Sequence, residues 1–77
     1  MTGPSATLYD LRGLKCPLPV LRSRKRLATL PGGAELIVET TDPLAAIDIP
    51  HMCNEDGHTL LSSEKTEAGH RFHIRKR

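Results

Sequence analysis

The chain has 77 residues, 38% of them hydrophobic and 3% aromatic, with no Trp, one Tyr and one Phe, which bounds it to one small domain with an aliphatic core. No stretch approaches the roughly 20 apolar residues that a membrane-spanning helix needs, and Met1 to Thr7 carry neither a basic nor an apolar segment, so no secretory leader is expected and the protein is assigned to the cytoplasm. A formal net charge of +2 suits an acidic partner surface without demanding a polyanion.

The chain is read as a single domain over residues 1–77, with residues 1–6 expected to be disordered. Thr7 to Leu11 is short and partly β-branched or aromatic, as a first strand would be. Gly13 permits a tight turn into Cys16-Pro17-Leu18-Pro19, where two prolines suit the first turn of a helix. From Pro17 to Leu30, apolar residues recur at Val20, Leu21, Leu27, Ala28 and Leu30 with helical spacing, and Pro31-Gly32-Gly33 ends the pattern. Arg24 falls within this apolar sector, so it is expected to snorkel outward from its edge.

Ala34 to Thr40 alternates with β-rich content and predicts a second strand. Asp42-Pro43 reads as the start of a second helix, Asp as N-cap and Pro at the first position. That helix is expected to run to about Asp56 before Gly57 stops it, with Pro50 kinking it or breaking its last turn. His58 to Glu64 and His70 to Lys76 predict two closing strands around the polar turn Thr66 to Gly69. The order β-α-β-α-β-β implies an α/β (α+β) fold, a two-layer sandwich. A four-stranded mixed sheet would carry both helices on one face, its first two strands parallel.

Cys16 is the leading candidate for chemistry. A thiol at a helix start meets backbone N–H groups and the positive end of the helix dipole, which favour an anion. The spacing leaves the N–H of Leu18 as one of the few free donors near the sulfur. A lowered pKa and an exposed nucleophilic thiolate are therefore expected. The alternative is that the prolines only start the helix and the thiol is incidental.

The segment Asp10-Leu11-Arg12-Gly13-Leu14-Lys15-Cys16-Pro17-Leu18-Pro19 resembles the signature of the TusA/SirA-like sulfur-carrier family. Asp42-Pro43, followed by Asp48-Ile49-Pro50 and Cys53, resembles that family's second helix, and the likeness covers the chain from Leu8 onward. It implies a small cytosolic sulfurtransferase of the same sandwich fold, with Pro17 and Pro19 as motif prolines. Cys16 would accept sulfane sulfur as a persulfide from a donor such as a cysteine desulfurase and relay it to an acceptor protein. The acceptor would belong to tRNA thiolation, molybdenum-cofactor assembly or sulfur oxidation. No metal, nucleotide or organic cofactor is needed for such a relay, and no phosphate-cradling glycine loop is present.

Around Cys16, Gly13 and Asp10 are expected to support the turn, Asp10 by accepting nearby N–H groups. Arg12 and Lys15 precede the thiol, and Arg22, Lys25 and Arg26 share the solvent side of the first helix. These five cations are candidates for partner docking and electrostatic support, set against the commoner case of a solvated helix face. Cys53 aligns with Ala46 and Ile49 on one helix stripe, which points inward and favours a buried structural role. No His or Cys spacing matches a closed zinc site. Two other classes stand beside the sulfur carrier. An RNA-binding module is disfavoured by the scarcity of aromatic residues for stacking. A redox-regulatory interaction protein is weakened by the absence of a C-x-x-C pair.

Overall fold

A computed structural model describes residues 6–77. The disorder expected of residues 1–6 therefore lies, except for Ala6, outside the described residues. Six elements follow in the order β1 (Thr7–Asp10), α1 (Leu18–Ala28), β2 (Glu35–Thr40), α2 (Ala45–Asp56), β3 (Thr59–Lys65) and β4 (His70–Arg75). They form an α+β fold with one mixed sheet, its strands in the spatial order β1-β2-β4-β3. β1 runs parallel to β2, and the other two pairings are antiparallel.

Strand alternation divides the sheet into two faces. On β2, Leu36, Val38 and Thr40 are buried while the residues between them are half-exposed. Leu36 stands opposite Ile74 of β4, and Val38 opposite Phe72. Both helices cover this face: Leu27 of α1 and Ile49, Met52 and Cys53 of α2 close the core over those strands, each no more than 2% exposed. Every such side chain removed from water contributes roughly 1.5–3 kcal/mol. α1 buries Pro19, Ser23 and Leu27, a stripe at i, i+4 and i+8. Leu21, half-exposed, stands outside that stripe although it belonged to the apolar pattern.

The open face carries Leu8, 62% exposed, and half-buried Ile37 on β1 and β2, and is otherwise polar and internally compensated. Arg71 bonds Glu39 at 2.9 Å and Glu64 at 3.2 Å, and His73 lies 2.6 Å from Glu35. These are cross-strand neighbours at the central and outer positions of the sheet. β3, at one edge, carries Ser62, Ser63, Glu64 and Lys65 and shifts register between Leu60 and Ser62. A polar, bulged edge resists pairing with another chain.

The helix starts differ from those expected. α1 begins at Leu18 and ends at Ala28, two residues short of Leu30, because Thr29 closes it by donating its hydroxyl to the Arg26 carbonyl at 2.7 Å. α2 begins at Ala45 instead of Pro43. Asp42 does not act as its N-cap: its Oδ1 accepts the N–H of Leu44 at 3.0 Å, closing a turn ahead of the helix. α2 continues through Pro50 to an intact last turn at Asp56, where Gly57 takes the left-handed conformation with φ 79°. No helix of the described residues is long and apolar enough to cross a membrane.

Candidate functional site

Cys16 sits on the turn between β1 and α1, exposed to solvent, while Cys53 is buried and both thiols are free. Two backbone anchors shape that turn. Gly13, with φ 87°, donates its N–H to Thr41 Oγ1 at 2.8 Å, and this left-handed geometry suits glycine best. The N–H of Cys16 donates to Asp42 Oδ2. The turn ahead of α2 thus grips the turn ahead of α1, and Asp42 serves both through its two oxygens.

The sulfur meets α2 directly. Cys16 Sγ donates to Asp48 Oδ2 at 3.2 Å. Eight residues on, Arg24 Nε donates to Asp56 Oδ2 at 2.6 Å. Both contacts span 32 residues, as two helices running side by side in the same direction require. Between them lies a groove of about 280 Å³. Cys16, Pro17, Val20 and Arg24 line one wall, and Asp48, His51, Met52 and Glu55 the other.

These contacts overturn the expected electrostatics. The N–H of Leu18 is taken by the Lys15 carbonyl at 2.8 Å and does not serve the sulfur. Neither Pro17 nor Pro19 has an N–H to offer. Asp48 dominates instead: its hydrogen bond with the thiol raises the Cys16 pKa above the ordinary cysteine value, with desolvation and the charges of Asp48 and Asp42 adding to the rise. A carboxylate that accepts from a thiol stabilises the protonated form, so the free protein presents a thiol.

The basic residues separate into distinct groups. Arg12 is locked to Asp10, with Nε and the second guanidinium nitrogen reaching the two carboxylate oxygens at 2.8 and 3.0 Å. Asp10 also accepts the backbone N–H of Arg12 at 3.0 Å, and these bonds hold its carboxyl down to about 2. Arg22, Lys25 and Arg26 line a separate hollow with Tyr9 and Thr29, sharing no residue with the Cys16 groove. Lys15 is exposed beside the thiol but lines none of these hollows. Arg24, expected only to snorkel away from the apolar sector, bridges the helices through Asp56 and Glu55 and is, among the described residues, the one arginine or lysine lining the groove.

Asp42, Asp48, His51 and Glu55 escaped assignment from the sequence because no local pattern joins them to Cys16. Their one visible signal was the spacing of Asp42-Pro43 and Asp48-Ile49-Pro50 along the second helical segment.

Cys53 packs with Ile49 and Met52 inside the core. Burial first, then the charge of Asp56, pushes its thiol up to about 11. A thiol that ionises later in the folded than in the unfolded chain adds stability at neutral pH and loses it as pH climbs from the unfolded value toward 11. Urea midpoints are expected to hold steady through neutrality and decline above about pH 9. That alkaline slope should be shallower in Cys53→Ala; an identical slope would remove Cys53 as its source.

A family model described as Sulfurtransferase TusA matches residues 7–76, nearly the whole chain.

Proposed function

Because the chain belongs to the TusA sulfurtransferase family, a family of sulfur carriers, we propose that Cys16 bears the transferred sulfur as a persulfide, taken from a donor such as a cysteine desulfurase and passed to an acceptor protein of a sulfur relay. The observation that carries this reading is the exposure of Cys16 at one end of the groove between α1 and α2, while the second thiol is buried. A carrier's sulfur has to be reached twice, first by the donor and then by the acceptor.

The exchange balances without a cofactor. The Cys16 thiolate attacks the outer sulfur of a donor persulfide, R–S–SH. The bond between the two donor sulfurs breaks, its electron pair leaves with R–S, and the proton lost from Cys16 ends on that departing thiolate. Cys16 then carries –S–SH, and the acceptor thiolate repeats the same attack on its outer sulfur. Pro17 and Pro19 stiffen the segment behind the thiol, and Gly13 and Asp10 fix the turn in front of it. Arg22, Lys25 and Arg26 offer an exposed basic hollow to acidic partner surfaces at a distance from the reacting sulfur. Whether the relay ends in tRNA thiolation, molybdenum-cofactor assembly or sulfur oxidation is then decided by the acceptor that docks, in the cytoplasm.

Intact-mass measurement after incubation with a cysteine desulfurase and cysteine tests the proposal. The protein is expected to gain one sulfur atom, reversed by a thiol reductant. No gain, in a protein whose Cys16 still reacts with iodoacetamide, would exclude sulfur carriage from this donor class.

A further inference from the structure

We infer that Asp48 sets the charge preference of Cys16: it keeps the sulfur protonated in the free protein and favours partners that bring a positively charged side chain beside their own sulfur. The inference rests on the reading of Cys16 as the sulfur-bearing residue and adds to it which partners that residue accepts. The hydrogen bond from Sγ to Asp48 Oδ2 exists only while the thiol keeps its proton. Ionisation leaves two like charges about 3 Å apart.

Each charged group lining the groove, and Asp42 beside it, is either acidic or already engaged. From α2, Asp48, His51 and Glu55 line the groove. From the turn ahead of α2, Asp42 holds the backbone N–H of Cys16. The guanidinium of Arg24 from α1 is committed to Asp56 and Glu55, and His51 lies 3.5 Å from Glu55. Lys15, next in the chain, does not line the groove. The thiolate therefore forms beside a carboxylate with no uncommitted cation of the groove to offset it. The raised pKa of Cys16 agrees with that arrangement. A lysine, arginine or charged histidine arriving opposite Asp48 removes the obstacle, and the same cation steadies the thiolate that leaves the donor. Once Cys16 carries sulfur, the charge on the outer sulfur is repelled by Asp48 and turned toward the partner.

Charged probes test this without any sulfur donor. Methanethiosulfonates carrying a trimethylammonium or a sulfonate tail differ in charge and share one chemistry. The thiolate attacks the divalent sulfur and a sulfinate leaves with the bonding pair. Cys16 is oxidised to the mixed disulfide, the reagent is reduced to sulfinate, and the thiol proton passes to the buffer. Rates at neutral pH and low salt are compared between the protein, Asp48→Asn and a small uncharged thiol, with iodoacetamide as neutral reagent.

The wild-type ratio of cationic to anionic rate is expected to exceed that of the small thiol by about tenfold and to shrink as salt is added. Asp48→Asn should bring the ratio most of the way to the reference. The same variant should react faster with iodoacetamide, by about threefold for each unit its midpoint falls, since the gain in thiolate is partly offset by lower nucleophilicity. A wild-type ratio at or below the reference overturns the inference without recourse to the variant, and so does a ratio that Asp48→Asn leaves unchanged. Failure of sulfur loading from a desulfurase, with the charge ratio intact, would instead overturn the carrier reading.

Discussion

Cys16→Ser is expected to abolish sulfur transfer and leave the fold unchanged, whereas Cys53→Ser should do the reverse. Serine at position 16 keeps the size and the donor that Asp48 accepts, but an alcohol cannot form a persulfide or act as leaving group in thiol exchange. Because Cys16 is exposed, its replacement disturbs no core contact. Loading by a desulfurase should fall to the background of the assay, with urea midpoints matching the wild type. Cys53 is 2% exposed among Ile49 and Met52. A hydroxyl placed there without a partner costs about 1–3 kcal/mol, which lowers the denaturation midpoint while loading proceeds. Equal loss of loading from both substitutions, in folded proteins, would overturn the division of roles between the two thiols.

Phe72→Ala is expected to be the most damaging single change to stability. Phe72 is the one phenylalanine of the chain, fully buried on β4 opposite Val38 and stacked against His70 at 6.0 Å between ring centres. Removing a buried phenyl ring costs about 3–5 kcal/mol, and a domain of this size holds only about 4–12 kcal/mol in all. Circular dichroism with urea titration should show a much lower midpoint or a chain already largely unfolded at 25 °C. A midpoint within experimental scatter of the wild type would contradict the central place of Phe72 in the core.

The strands, the two helices and their order were legible because each has a local cause. Alternation in Ala34 to Thr40 appears as the buried Leu36 and Val38 of β2, and Gly57 ends α2 in the left-handed conformation that its residue type favours. The helix starts were less legible. Asp42 looks like an N-cap when read alone, but its carboxylate is shared between Leu44 and the N–H of Cys16, 26 residues earlier.

The thiol's proton state was not legible at all. The local pattern around Cys16, a helix start with prolines, argues for a thiolate. The deciding group, Asp48, lies 32 residues away and reaches the sulfur only through the packing of α1 on α2. Arg24 shows the same failure, since an arginine inside an apolar sector has no local rationale until Glu55 and Asp56 are placed beside it.

That 32-residue reach ties the chemistry of the sulfur to the state of the whole chain. In an unfolded molecule Asp48 is distant, and Cys16 ionises as any cysteine in a peptide does. Completion of the fold quiets the sulfur. A polypeptide still being synthesised, or one damaged by heat, consequently carries the more readily ionised and oxidised form of this residue. The matured protein is the chemically patient one, and brief labelling pulses during refolding would register the moment at which α1 and α2 come together.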